Sequence, residues 1–362
     1  MSKFLAFRNL WVLSLLLLGA GFSQGSDCAE NGAAEFICGV PSAEDLIRIG
    51  DSDLVIAGGM GRPDWSFGGF RIIDVNTRAH YEPEPDYSSP SDELYAGCPG
   101  TPDKDRFSVH GISLRSDGNS SYTVFAVNHG GRESIEIFDM DVSKDDPVIS
   151  WKGCVILPDN LAANSVTYLP DGRLAATANP QRTEALEAEL GEQALEESLI
   201  GGVYEWHREI GWSFVPKSQI VIANGILASD DGEWLYLVGW AEGIVRKINR
   251  HKPETPTVEA KMDFLVDNLR YAPGGEILAA GHRTTPEQLL EECVLTGVPV
   301  CSVDSVVAIL DPDSMAFSEI TDLPATDDFG GGTSAIFVDN ELWIGTFRGD
   351  RIAIVENARD DE

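Results

Sequence analysis

Six positions in this chain could act together although they lie far apart in sequence: Glu44, His110, Asn164, Asn224, Asp267 and Gly332. Each stands seven residues before a turn residue, in order Asp51, Asp117, Asp171, Asp231, Gly274 and Asp339. Each stretch reads as strand, tight turn and strand, as in NSVTYLPDGRLAATA and NGILASDDGEWLYLVG. If the copies are units of one closed array, the six positions meet at one level around one axis. Glu44, Asn164, Asn224 and Asp267, with Asn268 beside the last, then turn carboxylate and amide oxygens toward a common point. These are hard donors with no thiolate among them. The set suits calcium, whose flexible shell of about six to eight oxygens accepts mixed carboxylate and carbonyl ligands. Magnesium demands tighter octahedral geometry, and zinc recruits His or Cys. A single Asn or Asp at a strand start is an ordinary turn former. Four in the same register of one repeat point to a metal.

His110 shares that register, and His129 ends the next strand in the run AVNHGG. Both belong to one hairpin, so both can reach the same end of the axis. A neutral His110 there could take a proton from water, while the metal polarises a substrate carbonyl. His282 also ends a strand, in AAGH, and is a weaker candidate; His80, His207 and His251 show no such placement. No P-loop or dinucleotide fingerprint occurs, which argues against a kinase or a nicotinamide enzyme.

The elements needed to hold this ring are short strands. The turn residues lie 43 to 66 residues apart, which suits about four strands plus loops per unit. TVFAVN, LAATAN, LYLVGW, EILAAG and LWIGTF read as buried strands, and FRIIDV, SIEIFDMD, IVRKIN and SVVAIL as outer ones. Asp-Gly steps at 117–118, 171–172 and 231–232 signal hairpins. Stacking such meanders radially buries their faces and hides their edges. The expected fold is therefore all-β, a six-bladed β-propeller with a short inserted helix. That helix is expected over 181–200, where Leu186, Leu190, Ala194, Leu195 and Leu199 make an apolar stripe beside glutamates. It would serve as a packed insertion or as a wall over the central site.

The chain has 362 residues with 43% hydrophobic content, enough for a large core. Its formal net charge of −33 repels nucleic acid and anionic lipid and favours solubility and cations. Residues 1–25 read as a signal peptide: Lys3 and Arg8 precede an apolar run from Leu10 to Phe22, with small residues after it. Residues 26–362 then form a single propeller domain in a secreted or periplasmic protein, which meets a membrane only if the N-terminal segment is retained. Six cysteines in an exported chain suggest disulfides. Fifteen pairings are open; Cys28 and Cys38 are close in sequence, as are Cys293 and Cys301, and each pair could close a loop, which would leave Cys98 with Cys154. Asn119-Ser120-Ser121 is a glycosylation sequon on an expected turn.

Six runs carry a family resemblance: EDLIRI, FSVHGISLR, FAVNHGGRESIEIFDMD, IANGILASDDGEWLYLVGW, LVDNLRYAPGGEILAAGH and GGTSAIFVDNELWIGTF. From about Glu44 to Val355 the chain resembles the paraoxonase/arylesterase family, among the wider gluconolactonase-like and strictosidine-synthase-like propellers. The resemblance implies a propeller that hydrolyses lactones and aryl esters with a catalytic calcium. The family's ligands fall on Glu44, Asn164, Asn224, Asp267 and Asn268, and its histidine dyad on His110 and His129. A second, structural calcium would use Asp45 and the carbonyl of Ile112, but Ser165 stands where an aspartate is expected, so that site would be weaker or lost. The family's disulfide between the terminal regions lacks its second half, so the ring would close by strand pairing alone. Two other readings remain open on the sequence: a non-catalytic, calcium-braced binding module, and a sugar-acid lactonase of the gluconolactonase type.

Overall fold

The computed structural model describes residues 34–144, 146–181 and 199–356. The expected signal peptide and nearly all of the helix expected over 181–200 lie outside them. Six antiparallel sheets form the body; five follow sequence order outward from an innermost strand, and the sixth does so for three strands before taking its outermost from the start of the described chain. The innermost strands are Ala43–Arg48, Val109–Gly118, Leu161–Tyr168, Ala223–Ala228, Leu265–Tyr271 and Gly332–Val338. The chain is a six-bladed β-propeller.

Apolar side chains in these strands are buried nearly without interruption, because a blade is covered on both faces. Six buried clusters result, one for each junction between neighbouring blades. Ile56 and Ile72 of blade one meet Val109 and Val124 of blade two, and Leu235 and Leu237 of blade four meet Val203 and Ala175 of blade three. The last junction sets Leu46 and Val55 of blade one against Ile336 and Trp343 of blade six. Each fully buried Val, Leu or Ile contributes about 1.5–3 kcal/mol, so a ring missing one junction would leave two apolar faces in water.

Closure comes from strand pairing, as the sequence implies. Glu35–Cys38, from the start of the described chain, pairs with Arg351–Ile354 and completes the sixth blade from its outer edge. Cys98–Cys154 and Cys293–Cys301 are disulfide-bonded; the expected partner of Cys38, Cys28, lies outside the described residues.

Three local expectations need correction. FRIIDV, SIEIFDMD, IVRKIN and SVVAIL fall in third strands, and a fourth strand flanks each of them. The second blade's hairpin turns at Asn119 and Ser120, which have φ of 51° and 62°, rather than at Asp117-Gly118. Asp117 is instead held by Arg115 Nε and Thr123 Oγ1, each 2.7 Å away. Two successive positive φ values are what a tight hairpin needs, and Asn tolerates them better than most residues. A short helix not expected from the sequence, Pro286–Val294, follows the second strand of blade five. It opens on Thr285, whose Oγ1 accepts from Gln288 N, with Pro286 in the first turn.

Candidate metal centre and histidine relay

Every innermost strand carries a β-bulge, and in five of the six it falls at the ring position. The register shifts lie between Ala43 and Asp45, Val109 and Ile112, Ala163 and Val166, Ala223 and Ile226, Val266 and Leu269, and Gly332 and Ser334. A bulge leaves one residue unpaired and re-aims its side chain. Glu44, His110, Asn164, Asn224 and the pair Asp267–Asn268 occupy five of these bulges. In the sixth blade the bulged residue is Thr333, one place after the expected Gly332, and its Oγ1 donates to Glu44 O at 2.6 Å. Two of the bulges include glycines that let the inner strands close up. A Cβ on Gly111 would lie 2.6 Å from Ser165 Cα, and one on Gly225 would lie 2.6 Å from Asp267 O.

Direct contacts tie the predicted residues together. Asn268 Nδ2 donates to Glu44 Oε1 at 2.8 Å. His110 Nε2 is 3.6 Å from the same oxygen and 3.4 Å from Asn164 Nδ2. Thr177 Oγ1 donates to the carbonyl of Asn224. His282 Nε2 meets Asp267 Oδ2 at 3.0 Å, so this weaker candidate orients a ring carboxylate.

The fit to a cation is visible in what remains unpaired. Glu44 Oε2, Asn164 Oδ1, Asn224 Oδ1, Asp267 Oδ1 and Asn268 Oδ1 are all buried and have no hydrogen-bond partner. Buried polar atoms are rarely left so, since each costs about 1–3 kcal/mol. Here all five orphans are acceptors. Burial, reinforced by Asp45 and then Asp267, pushes the Glu44 carboxyl well above its ordinary pKa; a cation would reverse that. Among the described residues no three His, Cys, Asp or Glu side chains gather as a metal-ligating group, consistent with a donor set made mainly of amide oxygens.

The histidines sit at the rim of this buried set, with side chains about one-fifth exposed. His110 Nδ1 lies 2.9 Å from His129 Nε2, and His129 Nδ1 lies 2.9 Å from Glu133 Oε2. The network assigns the tautomers. Asn164 Nδ2 can only donate, so His110 Nε2 accepts and Nδ1 carries the proton. His110 Nδ1–H then donates to His129 Nε2, and His129 Nδ1–H donates to Glu133. The same arrangement leaves Asn164 Oδ1 free. Burial first, and His129 second, lower the His110 pKa to about 3, so the ring is neutral at working pH. Glu133 was not expected from the sequence, although it lies four residues after His129. Asn128 is also new: wholly buried, it ties the His129 turn together through Ser108 N, Gly130 N and Arg132 O at 3.0–3.1 Å.

The expected second site assembles, but not around an opening. Asp45 and the carbonyl of Ile112 both receive the Arg270 guanidinium, at 2.9 Å for Ile112 O. Their oxygens are taken by a side chain, and Ser165 adds no charge. A second ion does not fit.

No protein-family model matches this chain, and no curated protein matches it in sequence. Solved structures do. A luciferin-regenerating enzyme aligns over 88% of this chain and 92% of its own, at 11% identity and a TM-score of 0.50. A protein assigned as a gluconolactonase aligns over 90% and 93%, at 17% identity and a TM-score of 0.50. Regucalcin from Agrobacterium tumefaciens, a calcium-binding protein, aligns over 87% and 90% at 11% identity, with a lower TM-score of 0.48. At these identities the first two likenesses show a common propeller fold.

Proposed function

We propose that this protein is a calcium-dependent hydrolase of lactones and aryl esters, of the paraoxonase/arylesterase type. The observation that carries the reading is the set of five orphaned, buried oxygens on Glu44, Asn164, Asn224, Asp267 and Asn268 beside a His110–His129–Glu133 relay. The solved propellers that share the fold include proteins named as a lactonase and as an enzyme, which agrees with this reading without specifying a substrate. The disulfides support a secreted or periplasmic location.

Calcium held by those oxygens would supply polarisation of the substrate carbonyl and stabilise the negative charge that develops on its oxygen. The remaining chemistry belongs to the chain. His110 Nε2 is kept as a lone pair facing the ring, and it takes a proton from water as the water oxygen attacks the carbonyl carbon. The positive charge gained by His110 is shared with His129 through the Nδ1–H···Nε2 bond, and Glu133 stabilises it by accepting from His129. When the carbonyl re-forms and the ester C–O bond breaks, His110 returns the proton to the departing alkoxide or phenoxide. Water is consumed and the proton count closes. Carboxylates around the axis disfavour anionic substrates, so neutral esters are expected.

The reading is tested by assaying a phenyl ester and an aliphatic lactone with the wild type and with His110→Gln. Hydrolysis by the wild type, with loss of rate but retained calcium binding in the variant, is expected. Ligand binding without hydrolysis of any ester or lactone would contradict it.

A further inference from the structure

Several buried charges are not used by this chemistry, and one of them lies next to the oxygen ring. Arg270 lies on the innermost strand of blade five, three residues past Asp267, and is 8% exposed. Its Nε donates to Leu46 O at 2.9 Å, its Nη1 to Leu269 O at 3.0 Å, and its Nη2 to Ile112 O at 2.9 Å and to Asp45. The fully buried Asp45 also accepts from Leu46 N at 3.0 Å and Ile112 N at 2.8 Å. One guanidinium therefore ties the inner strands of blades one, two and five together, below the oxygen ring. Arg270 and Tyr271 line two cavities of about 470 and 510 Å³ on the hairpin side of the channel, so this guanidinium stands between that end of the channel and the ring.

Charge balance points the same way. Asp45 and Asp267 both act electrostatically on Glu44, and Arg270, which pairs directly with Asp45, opposes them. With a cation bound and the three carboxylates ionised, one guanidinium offsets one of their charges and leaves two, the complement of one divalent ion. Carbonyls and a carboxylate gathered from three blades are what a structural cation would use. Here a guanidinium that is covalently part of the strand and cannot dissociate holds that place.

We propose that Arg270 is a built-in replacement for a second axial cation, so that the propeller binds one divalent ion and keeps its channel braced when that ion is removed. The site for that one ion rests on the reading above; the role of Arg270 does not. The physical consequence is a separation of two duties that ions could otherwise share. Loss of the upper ion would silence the site and leave the six blades closed.

The test measures calcium per chain by equilibrium dialysis on the protein as isolated, together with its melting temperature in chelator. One ion per chain is expected, with the cooperative transition kept after chelation. Arg270→Met leaves Asp45 buried and unpaired and should lower Tm by on the order of 10 °C; Arg270→Lys should recover part of the loss. Should Arg270→Met fail to fold, Arg270→Met combined with Ser165→Asp restores the missing charges as a ligand set. That double variant is expected to take up one more ion than wild type and to depend on it for stability. Two ions in wild type, or a double variant with no added ion, would overturn the proposal. A wild-type count of zero with a count of one in the double variant would uphold Arg270's role while removing the calcium chemistry proposed above.

Discussion

Replacing Glu133 with glutamine removes one negative charge and preserves the shape of the side chain. The wild-type contact is a charge-assisted hydrogen bond, with His129 Nδ1 at 2.9 and 3.0 Å from the two carboxylate oxygens. Such bonds contribute about 1.5–3 kcal/mol when well shielded. Glu133 is about one-fifth exposed, so solvent screening places the expected loss nearer 1–2 kcal/mol. The bond should strengthen as His110 takes a proton, so the loss falls on the transition state. At about 1.4 kcal/mol per tenfold, kcat should drop roughly 5- to 30-fold. KM and calcium affinity should stay the same, since Glu133 reaches the ring only through two imidazoles. The assay is initial-rate hydrolysis of a phenyl ester, with calcium binding followed by calorimetry. Glu133→Gln added to His129→Gln should cost little beyond His129→Gln alone, because both changes break one relay. An unchanged kcat in Glu133→Gln, or a loss that tracks weaker calcium binding, would refute the relay.

Other variants separate the parts of the site. Glu44→Gln and Asp267→Asn each remove one of two ring carboxylates and should weaken calcium binding and lower activity in parallel, as read by calorimetry and rate. His110→Gln should lower kcat by about 10²- to 10⁴-fold, the usual range for losing a general base, at unchanged calcium affinity. Gly225→Ala would force a Cβ to 2.6 Å from Asp267 O; a Tm lowered by several degrees together with weaker calcium binding is expected, and a neutral result would refute the close packing at that bulge. Joint replacement of Cys98 and Cys154 by serine opens a loop spanning 56 residues and should destabilise the fold by up to about 4 kcal/mol in urea titration.

The ring was legible because propeller repeats convert a fixed offset from the turn into a fixed height on the axis. Glu44, Asn164, Asn224 and Asp267 follow that rule directly. It missed by one residue in the last blade, where the bulge selects Thr333 rather than Gly332; the offset counts residues, and the bulge decides which one turns inward. The hairpin of blade two was misplaced for a similar reason, since Asp117 is bound by neighbouring side chains and Asn119 supplies the turn. Arg270 and Glu133 left no periodic mark. Their roles depend on distances between blades or across a loop, which composition and spacing do not carry. The helix at Pro286–Val294 lies between strands in a segment that shows no strand alternation, yet its Thr-Pro start was a readable capping signal.

The central claim is that the five orphaned oxygens hold a calcium ion on which hydrolysis depends. The most direct measurement is the rate of phenyl ester and aliphatic lactone hydrolysis by the protein as isolated, after chelation, and after calcium is restored. Activity that disappears on chelation and returns with calcium is the predicted result. Hydrolysis that persists undiminished in chelator, or its absence in every condition while calcium still raises the melting temperature, would contradict the account.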